Sequence, residues 1–320
     1  MAGHDSTVVG TNLVRTELWS DQLKDILIDM LQGQQYVNWM SNFPDGTTFT
    51  IPSIGEIPMR NVSENDPVVY DALDTGEFQF TIDEYVEAAT FITDKAKQDA
   101  YYANQLIASF LPKMKRALEE NLEGKIFNLA NSQTQADPNT INGADHRKVA
   151  SGDTNTTIAL ADFAYMKFAL DKANATQRRV AIIDPSQEYV LNKLSNLTSL
   201  TNANAAFDGV VQEGFVNSTT GMRFYRHIYG FDTYVSNYLA APTSTSDIDS
   251  VAVPSNPIQN IFMSIGADET PFKGAWRQMI NVETERNKDL RRDEYVMNGR
   301  YGLKLYRPEC LAVLVSTATA

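Results

Sequence analysis

Residues 44–92, PDGTTFTIPSIGEIPMRNVSENDPVVYDALDTGEFQFTIDEYVEAATFI, decide how the rest of the chain is read. Four prolines, Pro44, Pro52, Pro58 and Pro67, exclude a helix and favour extended backbone. On either side of a polar centre the apolar residues alternate: Phe49 and Ile51 before it, Phe78, Phe80 and Ile82 after it. Alternation with period two predicts two long strands of a ribbon. The centre, GEIPMRNVSENDPVVYDALDTG, is polar and poor in packing residues. A two-stranded ribbon is marginal alone in water, so this one needs something to lie against.

Working outward, residues 13–31, LVRTELWSDQLKDILIDML, read as an amphipathic helix stopped by Gly33. Trp19, Leu23, Ile26, Leu27 and Met30 share its apolar face, which either joins a core or docks on a neighbouring chain. After the ribbon, Tyr102, Leu106, Phe110, Met114, Leu118, Leu122 and Ile126 recur every fourth residue. That stripe predicts one helix over 93–131, bent near Ala108 by Pro112, with Lys113, Lys115, Arg116, Glu119, Glu120 and Glu123 on its polar face. Residues 132–157 read as a polar loop and 159–174 as a helix. In RRVAIIDPSQEYVLNKL, 178–194, a strand (Val180–Ile183) ends at Asp-Pro and passes into a helix (Ser186–Leu194). Gly221–Leu239 reads as one or two strands, 240–257 as a surface loop and NIFMSIGA as a buried strand. Residues 276–316 read as long strands around the charged turn ETERNKDLRRDE.

The 320 residues, 43% hydrophobic, suffice for a sizeable core. A formal charge of -13 disfavours nucleic-acid binding over most of the surface. The single cysteine, Cys310, cannot form an intrachain disulfide, which suits a reducing compartment. The first residues show no secretory pattern, and no apolar run approaches the ~18 residues of a membrane span.

Little here carries chemistry. His4, His146 and His227 lack ligand spacing, and no phosphate-binding, nucleophile-elbow or metalloprotease motif occurs, so no metal or cofactor is expected. Asp184 is the best catalytic candidate, as an aspartate at the end of a strand. Its structural alternative is a cap for the helix beginning at Pro185, and no partner residue favours catalysis. The segment Glu283–Glu294 mixes Arg286, Lys288, Arg291 and Arg292 with Glu283, Glu285, Asp289, Asp293 and Glu294. A mixed cluster is no nucleic-acid patch; it reads as a solvated hairpin tip or as ion pairs to a neighbouring subunit.

The order of these elements resembles the α+β HK97-like fold of tailed-bacteriophage major capsid proteins, and within it the short-tailed T7-like group. FTIPSIGEIPMRNVSENDP and FQFTIDEYVEAATFITDKAKQDA resemble the extended loop of that fold (the E-loop) and its return into the spine helix. RRVAIIDPSQEYVLNKL and GFVNSTTGMRFYRH resemble the A-domain, and NGRYGLKLYRPECLAVLV the closing strands of the P-domain. The resemblance implies an N-terminal arm at 1–43, E-loop and return strand at 44–92, spine helix and part of the P-domain at 93–157, A-domain at 158–265 and P-domain closing strands at 266–320.

It further implies a homo-oligomer of pentamers and hexamers in an icosahedral shell around double-stranded DNA, assembled in the host bacterial cytoplasm and residing in the virion capsid. The implied contacts between copies are the E-loop tip (Glu56, Met59, Arg60, Glu64, Asp66, Val69, Tyr70), the charged hairpin (Glu283, Glu285, Arg286, Lys288, Arg291, Arg292, Asp293, Glu294) and the arm (Trp19, Leu23, Ile26, Met30). Residues near Leu197–Gly209 would surround the capsomer axis. No lysine occurs between Lys24 and Lys95, so the Lys–Asn crosslink of some relatives, whose lysine lies in the E-loop, is not expected. Only about 45 residues precede the ribbon, so a scaffolding protein is expected as a separate partner, with a portal protein and a decoration or cement protein. The alternatives are an encapsulin-type compartment, which shares the fold, and a soluble α/β enzyme using Asp184.

Overall fold

The computed structural model describes residues 31–40, 46, 48–55, 59–62, 64–65, 67–68, 70, 75–99, 103–133, 138–193, 224–266 and 269–318. In chain order the strands and helices are β1 (Val37–Met40), β2 (Thr48–Ile54), β3 (Thr75–Thr81), β4 (Glu84–Thr93), α1 (Asp94–Asp99), α2 (Ala103–Asn128), β5 (Thr140–Ile141), β6 (Ala144–Asp145) and β7 (Arg147–Val149). There follow α3 (Leu160–Lys172), β8 (Arg178–Ile183), α4 (Pro185–Lys193), β9 (Phe224–Ile228), β10 (Phe231–Val235), β11 (Pro257–Ile265), β12 (Phe272–Asn287), β13 (Arg292–Leu305) and β14 (Leu311–Thr317).

The near-continuous apolar runs of β8, β11 and β14 explain their position. Such strands must be covered on both faces, and they form the centre of a six-stranded mixed sheet ordered β7-β14-β11-β8-β10-β9. Alternate residues serve opposite cores. Ala181, Ile183, Phe262, Ala312 and Leu314 pack with Phe163, Met166 and Leu170 of α3 and Leu191 of α4. Val180, Ile182, Ile261, Met263, Leu311 and Val313 pack on the other face with Leu122, Ile126 and Phe127 of α2. Burying each large side chain contributes roughly 1.5–3 kcal/mol before entropy is counted. β9 and β10 form a hairpin through Tyr229 and Gly230, whose φ of 48° and 88° suit the tight turn that matches strand twist.

A second sheet, ordered β1-β12-β13-β4, carries the long β12–β13 hairpin away from this body. β1 adds parallel to the start of β12, and β4 runs antiparallel along β13. Among the described residues no helix is long and apolar enough to cross a membrane.

The ribbon expected from 44–92 is β2 paired antiparallel with β3, from Thr48↔Thr81 to Ile54↔Thr75. Its return strand is shorter than the alternation predicts. After Ile82 the chain leaves the ribbon, and β4 joins the four-stranded sheet instead. Ile82 is buried with Phe80 and Ala275 at the ribbon root, so the apolar period runs unbroken across the change of partner. Gly302 makes that crossing possible: a Cβ there would lie 2.6 Å from Thr81 O.

One further expectation changes. Residues 132–157 are not simply a loop, since β7 adds parallel to β14 at the sheet edge and Arg147 and Val149 are buried. The helix predicted over 93–131 is described as α1 and α2, with strand as far as Thr93 and 100–102 outside the described residues. Pro112 lies inside α2.

Candidate assembly interface

The Asp184 turn is closed upon itself. Ser186 donates to Asp184 Oδ2 from its backbone N (2.9 Å) and from its hydroxyl (2.5 Å), which caps α4. Gln187 N and Glu188 N donate to Asp184 O. Asp184 N donates to Asn260 Oδ1, while Asn260 Nδ2 donates to Leu314 O and Ser316 Oγ. Buried Gln187 donates to Thr317 O at 2.6 Å and accepts from Ile158 N at 2.8 Å. The turn therefore fastens β8, α4, β11 and β14 together. Among the described residues no group of His, Cys, Asp and Glu could hold a metal ion. Cys310 is buried, and burial pushes its thiol up to about 11, away from the thiolate form a nucleophile needs.

The charged hairpin holds its shape through a network within the chain. Arg286 donates to both carboxylate oxygens of Asp94, at 2.9 and 2.7 Å, and to Asp293 at 3.0 Å. Lys97 of α1 pairs with Asp293. Arg292 donates to Glu294 at 2.6 Å and lies over the Phe91 ring at 4.4 Å. Hydrogen bonding from Arg286 holds the Asp94 carboxyl below its ordinary range, Lys97 does the same for Asp293, and Arg292 for Glu294. Asn287 caps the turn by accepting from Asp289 N and Leu290 N. Arg286, Arg292, Asp293 and Glu294 thus meet partners in their own chain, whereas Glu283, Glu285, Lys288 and Arg291 face solvent. The hairpin also lines an open hollow of ≈ 320 Å³, walled by Thr284, Glu285, Arg286, Asp293, Glu294 and Tyr295. So charged a wall differs from the apolar clefts of small-molecule sites.

At the ribbon tip Met59 is 98% and Tyr70 89% exposed, and Arg60 and Glu64 are exposed beside them. Val62 and Val68 of the same segment are exposed too, at 65% and 71%. Glu56, Asp66 and Val69 lie outside the described residues, as do Trp19, Leu23, Ile26 and Met30 of the arm and residues 197–209.

Glu123 departs from its expected place on the polar face of the spine helix. It is fully buried, and its carboxylate accepts from Gln32 N at 2.8 Å and from Gly33 N at 2.7 and 2.8 Å. A Cβ on Gly33 would lie 2.8 Å from Glu123 Oε2, and Gln32 Nε2 reaches Val235 O at 3.1 Å. Glu123 therefore ties the chain preceding β1 to α2, and the Gln32 side chain ties it to β10. Phe127 and Ala130, four and seven residues on, are buried too, and that spacing is the signal that places Glu123 inward.

A family model described as phage capsid protein matches residues 76–314. Comparison with curated proteins finds no match. Among solved structures, the chain superposes on one of Mycobacterium phage Che8 with a TM-score of 0.64 and 17% identity, covering 95% of this chain and 97% of that one. The capsid of cyanophage P-SCSP1u gives 0.66 and 16%, covering 98% and 95%. The holo-SrpI encapsulin complex of Synechococcus elongatus PCC 7942 gives 0.59 and 11%, covering 100% and 98%. At these identities the structures establish the HK97-like fold, and the family match adds the role. A body closed around its polar turn, an exposed ribbon tip and the family match agree: the chain belongs to the phage capsid protein family.

Proposed function

We propose that the chain is the major capsid protein of a tailed phage, closing as pentamers and hexamers into an icosahedral shell around double-stranded DNA. The observation that carries this reading is the ribbon tip, where Met59, Val62, Val68 and Tyr70 are exposed together on a structure too thin to have its own core. Lying across an adjacent copy, the tip gains the cover it lacks, and repetition around the shell multiplies weak contacts. Glu283, Glu285, Lys288 and Arg291 are the hairpin charges available to a neighbouring capsomer. The acidic balance keeps the wall from trapping the polymer it confines.

In this reading the shell is non-covalent, because the E-loop lacks the lysine for a Lys–Asn bond. Assembly takes place in the host cytoplasm with a separate scaffolding protein, a portal and a decoration or cement protein, and the T7-like pattern of motifs favours a short-tailed phage. The domain division given for the resemblance is kept here.

Size exclusion and negative-stain imaging of the expressed chain test the reading: capsomers or megadalton shells are expected, and a small monodisperse globule contradicts it. The encapsulin superposition supports a second reading, a protein compartment. Particles that select a protein cargo in place of DNA would establish that one instead.

A further inference from the structure

Strand β7, at the edge of the six-stranded sheet, buries a cation. Arg147 is 1% exposed, and its Nε and Nη1 meet no hydrogen-bond partner among the described residues. Successive side chains of a strand take opposite faces. Lys148 lies over the Tyr165 ring of α3 at 4.0 Å, so Arg147 and Val149 point to the other face, the one that α2 covers. There Arg147 is the register partner of Val313, which packs in one core with Leu122, Ile126 and Phe127 of α2. Arg178, Arg179, Arg286 and Arg292 are all more exposed, and each pairs with a carboxylate. Arg147, the most buried of them, has none.

Two amides flank Arg147 along β14. Gln133 Nε2 donates to Leu311 O at 3.2 Å, two residues before Val313. Gln259, the cross-strand partner of Val315, two residues after Val313, donates from Nε2 to Asn131 Oδ1 at 2.5 Å. Both glutamines are buried, and both Oε1 atoms lack a partner as well. Neutral oxygens can share N–H groups through an ordered water, but they leave the positive charge uncompensated. A guanidinium does not shed its proton inside a protein. Burial pushes the Arg147 pKa down, and no carboxylate of the described residues offsets it.

We propose that Arg147 holds a small inorganic anion, chloride or one of similar size and charge, between β7 and the turn that follows α2. Burial sets the size: a phosphodiester or a carboxylate of another chain cannot reach a side chain 1% exposed unless the sheet edge opens. Strand β7 is three residues long and pairs only with Val313–Val315 of β14, so the anion acts as a fastener for a short edge strand. The inference does not depend on the capsid reading.

Replacing chloride by gluconate at constant ionic strength tests it on the unchanged chain, since gluconate is too large for the site. Raising chloride from about 1 to 200 mM should raise the thermal midpoint by about 2 °C. It should also slow amide exchange at Val149 and Val313–Val315 without changing Thr284–Glu294 of the charged hairpin. Arg147→Met keeps the length, removes the charge and should abolish both effects. An unchanged midpoint and unchanged exchange across the chloride series leave ordered water as the occupant and overturn the proposal, as does the full chloride response in Arg147→Met. The comparison of salts needs no variant, so it decides the matter even where Arg147→Met folds poorly. Asp137 lies outside the described residues and precedes Pro138, whose carbonyl accepts from Arg147 N at 2.9 Å. Chloride dependence that arises only in Asp137→Asn would assign the countercharge to the chain itself and also overturn the proposal.

Discussion

The six-stranded body and the ribbon are made from similar alternating strands, yet their burial runs in opposite senses. In the body, β8, β11 and β14 are covered by α3 and α4 on one face and by α2 on the other, and Phe262 is fully buried. In the ribbon, burial falls along the strands: Phe80 is fully buried at the root, and Tyr70 is 89% exposed at the tip. The root therefore belongs energetically to the body and the tip does not. On the proposed capsid reading, folding resides in one region and association in the other, and substitutions should divide accordingly.

The largest expected effect on folding lies in the body. Phe262 meets Phe163 at 5.2 Å and Phe231 at 5.3 Å, both edge to face. Phe262→Ala should cost about 3–5 kcal/mol in urea unfolding of the unassembled chain. A cost under about 1 kcal/mol would mean a loosely packed body and would erase the contrast. Glu123→Ala comes next. It leaves Gln32 N and Gly33 N without their acceptor and should cost about 1–3 kcal/mol while exposing the chain before β1 to limited proteolysis. Unchanged cleavage there would show that edge pairing of β1 alone holds that segment.

Asp184→Ala should cost about 1 kcal/mol, the value of a helix cap, and Asp184→Asn less, since asparagine caps equally well. The smallest effect belongs to the charged hairpin. The Asp94, Asp293 and Glu294 carboxyls all titrate below their ordinary values of 3.8, 3.8 and 4.5. Their pairs therefore contribute fully above those values and are lost as pH falls below them. Amide-exchange protection of Thr284–Glu294 should be flat from pH 8 to 5 and fall below about pH 4, with the body strands still protected. Simultaneous loss in both regions would show that they unfold as one unit.

The comparison also explains what was legible in the sequence. Periodicity reports burial, so the strands of the body, the Asp-Pro turn and the ribbon could be read directly. It does not report partners. Phe78, Phe80 and Ile82 keep one alternation although the chain changes sheets immediately after them. Strand β7 was hidden because Arg147 buries a guanidinium where an apolar side chain is the usual signal. Arg286 and Asp94 form the hairpin's two-pronged ion pair across 192 positions of sequence, a distance no local pattern spans. The motif order RRVAIIDP to RPECLAVLV was informative for a different reason, since shared order reports topology even where each motif is weak.

Replacing residues 55–74 by Asn-Gly tests most directly whether the ribbon finds its burial on other copies. Ile54 and Thr75 are already cross-strand partners, so a two-residue turn can join them without disturbing β2 and β3. The shortened chain should fold with the unfolding midpoint of the full chain and remain unassembled under conditions where the full chain forms capsomers or shells. Normal particles from the shortened chain would contradict the account, as would a collapse of its fold.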